Sequence, residues 1–130
     1  MKKFIVCGLL ALISLATFAK APILVDRIEP LSWWSGMTNT ELQIMLHGPE
    51  VAKCEVHFVD DAIVISRIEK TDNPNFLFVY VNTKNVESGS YNLVIKNGCK
   101  KQTVNYEFKA RREGSADRAR FTSADAIYLL

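Results

Sequence analysis

Trp33 and Trp34, the only two tryptophans in this 130-residue chain, stand side by side in Ile28-Glu29-Pro30-Leu31-Ser32-Trp33-Trp34-Ser35-Gly36-Met37. An indole can fill a core, anchor a protein interface, or lay its apolar face on the C–H face of a sugar ring. The segment follows a proline and reads as a short connector rather than a strand. Neighbouring side chains in extended backbone point opposite ways, so both rings cannot enter one core. At least one indole is therefore expected to meet a sugar, another domain or another chain, with Met37 beside it. Ser35, Asn39 and Glu41 are close enough in sequence to supply hydrogen-bonding groups to a sugar. The residues leave three readings open: packing over the end of a core, an interdomain or dimer contact, and a sugar-stacking platform.

Other chemistry-bearing side chains are sparse. Glycosidic hydrolysis needs two carboxyl groups held about 5–9.5 Å apart across a sugar-sized cleft. The only adjacent acidic pair, Asp60-Asp61, falls in a turn, where Asp serves backbone hydrogen bonding. His47 and His57 lie on the polar parity of their strands, with no zinc-ligand spacing around them. Ser88-Gly89-Ser90 is a turn, since no Gly-x-Ser-x-Gly elbow is present. No phosphate loop or calcium loop appears. The expectation is no catalytic residue, no metal and no cofactor.

The elements that must hold these groups are short alternating segments. Residues 23–28 read as a first strand halted by Pro30. Leu42, Ile44 and Leu46 alternate with polar neighbours up to Gly48-Pro49, and Cys54, Val56 and Phe58 do the same before the Asp60-Asp61 turn. Residues 62–68 form another short strand, and Asp72-Asn73-Pro74-Asn75 is a turn. Residues 76–81 are apolar on both parities, as in a central strand. Tyr91, Leu93 and Ile95 lead to an Asn97-Gly98 hairpin turn, and Val104, Tyr106 and Phe108 return from it. About seven strands of this length and spacing predict an all-β, immunoglobulin-like sandwich.

The two ends follow other rules. Lys2-Lys3, the apolar run at residues 4–18 and the small residues Thr17 and Ala19 form a secretory signal peptide, residues 1–19, cleaved after Ala19. The run is too short for a good membrane span, so the mature chain is expected in the periplasm or outside the cell, free of the membrane. Setting Lys2 and Lys3 aside, the 16 basic residues fall to the number of acidic ones, 14. No basic stripe interleaves with aromatics, which argues against nucleic acid. Residues 20–109 are the sandwich domain and residues 110–120 a charged linker carrying Arg111, Arg112, Arg118 and Arg120. Residues 121–130 end in Ala126-Ile127-Tyr128-Leu129-Leu130, the kind of continuous apolar run that opens a parallel sheet or barrel.

With Cys7 in the signal segment, Cys54 and Cys99 remain, and an exported compartment permits a disulfide between them. Such a loop would add about 3–4 kcal/mol if unstrained. In the predicted sheet the strand holding Cys54 pairs antiparallel with residues 91–96, which brings Cys54 towards Cys99. Parity opposes the bond, because Cys54 faces inward while Cys99, opposite Lys96 across a two-residue turn, faces outward. A bulge would reconcile the two, and the pairing stays open.

Glu29-Pro30-Leu31-Ser32-Trp33-Trp34-Ser35-Gly36-Met37, the motif Asn73-Pro74-Asn75-Phe76-Leu77-Phe78 and the ending Ser123-Ala124-Asp125-Ala126-Ile127-Tyr128-Leu129-Leu130 together resemble the N-terminal part of bacterial cyclomaltodextrinases and neopullulanases of the Bacteroides type, in glycoside hydrolase family 13. The resemblance covers residues 21–130. It implies a non-catalytic accessory domain of an exported α-glucan hydrolase, with residues 121–130 opening a (β/α)8 catalytic barrel whose acidic residues lie on later strands. The implied partners are that barrel and a second subunit, the domain helping to narrow the active-site cleft. Trp33, Trp34 and Met37 are the expected contact surface, and maltooligosaccharide or cyclodextrin the alternative ligand. A free-standing carbohydrate-binding or adhesive module is the competing reading.

Overall fold

The computed structural model describes residues 22–115. The expected signal peptide, the barrel-opening segment 121–130 and the linker arginines Arg118 and Arg120 lie outside the described residues. Eight strands are present: β1 (Arg27–Glu29), β2 (Ser32–Trp34), β3 (Glu41–His47), β4 (Glu55–Phe58), β5 (Val64–Lys70), β6 (Phe76–Asn82), β7 (Gly89–Asn97) and β8 (Lys100–Lys109). One sheet runs β1-β3-β6-β5 and the other β2-β8-β7-β4. All neighbours are antiparallel except β2 and β8. Two sheets in this order make an immunoglobulin-like sandwich, with the first strand divided between them.

The alternation visible in the sequence becomes the core. Ile44 and Leu46 of β3, Leu77, Val79 and Val81 of β6, and Leu93 and Ile95 of β7 are fully buried, with Tyr106 and Phe108 of β8 closing over them. Strand β6 is central, between β3 and β5, as its two apolar faces require. Two of its outer aromatics are covered by neighbours: Phe76 packs tilted against His47 with ring centroids 4.8 Å apart, and the Arg67 guanidinium sits 3.6 Å from the centre of the Tyr80 ring. Tyr80 then donates to Glu69 Oε2 and accepts from Gln43 Nε2, both at 3.0 Å.

Tyr91 ties the loop before β7 to the sandwich by donating from its hydroxyl to the Glu87 carbonyl at 3.0 Å. This is the tyrosine corner of immunoglobulin-like folds. A tyrosine at the start of the penultimate strand, just after Ser88-Gly89-Ser90, is the pattern that marks it.

Three expectations change. The strand placed at residues 23–28 shortens to β1, because Leu24 and Val25 leave the ladder to bond the Gln102 side chain. The tryptophan segment, expected as a connector, is a strand: Ser32, Trp33 and Trp34 pair in parallel with Glu107, Phe108 and Lys109. Pro30, with no N–H to give a ladder, separates the two pieces, and three residues are too few to show a period of two. The hairpin turn is also displaced by one residue. Asn97 pairs with Lys100, so Gly98 and Cys99 are the turn, and Gly98 takes the positive φ of 57° that a first turn position here requires.

That displacement separates the cysteines. The strands pair as expected, Glu55 opposite Lys96, and Cys54 faces inward and is buried. Cys99 instead lies exposed at the tip of the turn, and both thiols are free. The buried inter-sheet position two residues after the corner tyrosine is Leu93, so the apolar core fills the place of the usual sandwich disulfide. Burial also pushes the Cys54 thiol above its ordinary pKa, which suppresses its thiolate. In native protein, iodoacetamide should alkylate Cys99 rapidly and Cys54 only on unfolding. Peptide mapping that finds the two labelled at equal rates would contradict this.

Candidate functional site

The site grows from the register of β2 on β8. In a parallel pair, residues opposite each other share a face. Trp33 lies opposite Phe108 and turns inward, half-buried against the core. Trp34 lies opposite Lys109, turns outward and is 43 % exposed. The two indoles meet edge to face, with centroids 5.8 Å apart and planes 63° apart. One ring caps the core and the other faces away from it.

The backbone beyond Trp34 is fixed to the strand that leaves the sandwich. Ser35 N–H donates to the Lys109 carbonyl at 3.0 Å, which extends the ladder by one bond. Gly36 then turns the chain with φ of 69°, a left-handed value that disfavours residues carrying a Cβ. Arg111 Nη1 reaches back to the Gly36 carbonyl at 3.4 Å. Trp34, Met37, Arg111, Arg112 and Ser115 line an open concavity of about 360 Å³. The structure therefore brings together Trp34, Met37 and two of the linker arginines, and sends Trp33 into the packing instead. Neither Arg111 nor Arg112 forms an ion pair among the described residues.

The polar groups considered for sugar binding are engaged elsewhere. Asn39 Oδ1 accepts from Glu41 N–H at 3.1 Å, and the Glu41 carboxylate pairs with Arg67 at 3.2 Å. Ser35 Oγ points to the Lys109 carbonyl at 3.4 Å. A T-shaped indole pair with no amide or carboxylate gathered beside it among the described residues is a poor match to a pyranose, which needs a flat face and hydrogen bonds at its rim.

Asp60 and His47 have partners within the fold. Asp60 Oδ1 accepts from Ala62 N–H at 2.8 Å, the turn role expected of it. His47 Nδ1 lies 2.7 Å from Asp26 Oδ1, and His57 is exposed on β4. No group of three or more potential ligands gathers for a metal among the described residues.

The family model described as the N-terminal domain of cyclomaltodextrinase matches residues 27–112. The chain belongs to that family. The match runs from the first residue of β1 through Arg112, so all eight strands and four of the five residues lining the Trp34 concavity, Trp34, Met37, Arg111 and Arg112, fall within it. This cyclomaltodextrinase N-terminal domain is an accessory domain of a hydrolase of the glycoside hydrolase family 13 type.

One buried group of the domain stands outside the tryptophan site. Tyr106 is 1 % exposed, and its hydroxyl has no hydrogen-bond partner among the described residues. Burial pushes its pKa well above the ordinary value of 10.0. A raised folded-state pKa means the unfolded chain gives up this proton first, so stability is intact below about pH 10 and declines above it. The decline approaches about 1.4 kcal/mol per pH unit until the folded-state pKa is reached. Tyr106→Phe should remove this component from the alkaline unfolding profile. It should also leave neutral-pH stability equal or about 1 kcal/mol higher, since an unpaired buried hydroxyl is lost. Urea melts at pH 7 and above pH 10 check both, and a variant less stable at pH 7 would show that the hydroxyl is satisfied.

Proposed function

We propose that this domain docks, through Trp34, Met37, Arg111 and Arg112, onto the catalytic barrel of an exported α-glucan hydrolase acting on cyclodextrin, pullulan or starch oligosaccharides. It carries no catalytic group itself, and it helps the enzyme dimerise and shape its active-site cleft. The observation that supports this is the parallel pairing of β2 with β8. Both strands leave the sandwich at the same end, and Ser115, the last described residue, lines the concavity beside the exposed indole. An aromatic anchor with arginines at its rim is the usual composition of a protein interface. The charged and aromatic side chains meet there only because of that topology.

The test supplies the barrel of the same enzyme as a separate polypeptide and follows tryptophan emission of the full chain. Docking should shift the emission to the blue, and Trp34→Ala should weaken binding about 30-fold, the effect of losing an anchor worth about 2 kcal/mol. Binding unaffected by Trp34→Ala would overturn this reading. The competing reading, a carbohydrate-binding module, draws on the exposed Trp34 ring alone, and predicts that millimolar maltooligosaccharide or cyclodextrin changes the emission of the chain without any barrel.

A further inference from the structure

The first strand touches β8 twice and leaves its edge open in between. Gln102 Oε1 accepts from the N–H groups of Leu24 and Val25 at 2.6 and 2.8 Å, and its Nε2 donates to the Val25 carbonyl at 2.8 Å. The chain then crosses to the opposite sheet as β1 and returns to β8 only at Ser32, opposite Glu107. Over residues 102–106, β8 has β7 on one side and no backbone partner on the other among the described residues. Alternate residues of an antiparallel strand turn N–H and C=O away from their partner, so this stretch offers unpaired donors and acceptors.

A cleft of about 330 Å³ runs along this edge. Its apolar lining comes from Val25, Ile28, Leu31 and Val104, and Leu31 is 82 % exposed. Tyr106, with its unpartnered buried hydroxyl, is part of the wall. The cleft offers no aromatic face to a sugar, because the Tyr106 ring is held edge-on by Phe58 and Phe108 inside the core. What it offers is the empty place of one strand, with backbone groups on one side and apolar side chains beneath.

The charges beside the edge indicate what such a strand would carry. Lys101 projects from the solvent face of β8 and lies opposite Lys96 of β7, and Lys100 follows at the hairpin end. Like charges opposite each other on adjacent strands repel. None of the three forms an ion pair among the described residues. Side chains alternate along a strand, so an added strand would turn one row over Ile28 and Val104 and the other towards Lys101.

We infer that residues 102–106 of β8 accept an extended segment of a partner protein whose side chains alternate apolar and acidic. The segment adds a strand to the β2-β8-β7-β4 sheet. Backbone bonds to the edge supply the affinity, and the alternation supplies the selection.

The experiment uses the isotope-labelled full chain and an acetylated, amidated peptide of alternating valine and glutamate. The peptide should shift the amide resonances of residues 102–106 and slow their hydrogen exchange about tenfold, leaving β4 and β5 unaffected. A valine–lysine peptide, or the same peptide N-methylated along its pairing edge, should not. Equal binding of the N-methylated peptide, or shifts confined to other strands, would overturn the inference. The same amides shifting with protein concentration alone would also overturn it, by showing that a second copy fills the edge.

Discussion

Phe108→Ala should cost about 3–5 kcal/mol of folding stability, the range for deleting a fully buried phenylalanine. Phe108 is 1 % exposed and contacts Tyr91 and Tyr106 edge to face, with centroids 5.7 and 5.4 Å away. It also lies opposite Trp33 across the β2–β8 ladder and opposite Gly89 across β7. Removing it undermines the floor under Trp33 and loosens the three-residue strand that aims Trp34. An ordinary domain has only about 5–15 kcal/mol in total, so the variant should melt more than about 12 °C lower. Trp34→Ala, by contrast, changes an exposed ring and should stay within about 0.5 kcal/mol of the parent. A urea series on both variants checks the pair. Equal losses would mean that Trp34, rather than Trp33, is the packed indole.

Gly48→Ala is expected to be nearly as damaging despite adding only one methyl group. A Cβ on Gly48 would collide with the Leu24 carbonyl oxygen and approach its carbon and Val25 Cα to 2.9 Å. These are backbone atoms and cannot rotate aside. They are also anchored, since Gln102 holds Leu24 and Val25 while Asp26 N–H donates to the His47 carbonyl at 3.0 Å. The clash therefore lifts a segment whose Leu24 and Val25 side chains are both buried. The cost should reach the upper part of the about 1–3 kcal/mol typical of overpacking. Gly89→Ala is the control, because its Cβ would meet only the Tyr91 ring at 3.6 Å or more, an ordinary contact. Equal midpoints for the two variants in urea would show that the N-terminal segment is not held against Gly48.

How far the fold was legible depended on whether a segment's role is written in its own residues. Leu42, Ile44 and Leu46 alternate with polar neighbours and are all buried, because one buried face of a strand imposes a period of two. Asn73 and Asn75 read as a turn, and Asn73 indeed accepts from Asn75 N–H through its side chain at 3.0 Å. The strand at Ser32–Trp34 left no such trace. It exists because β8 offers a ladder position there, and three residues carry no pattern. The turn falls at Gly98 and Cys99, one residue beyond the Asn97-Gly98 pair that fits a hairpin locally, because the pairing of β7 with β8 along their length sets the register.

The candidate site divides in the same way. The rarity and adjacency of Trp33 and Trp34 were enough to say that one ring must face outward, since backbone geometry alone forbids both from entering one core. Which ring it is follows from the parallel register with Phe108 and Lys109, a contact between residues more than seventy positions apart. That same register joins Met37 and Arg111 to Trp34. By itself, the amino-acid sequence determined the all-β class, most of the core and the family, because alternation, turn chemistry and motif order are local properties of the chain. Tertiary structure alone decided that Trp34 is the exposed ring, that Cys54 and Cys99 stay apart, and that part of β8 has no second neighbour among the described residues. Each of these depends on strand register and sheet order, which are set by long-range pairing and leave no mark on neighbouring residues.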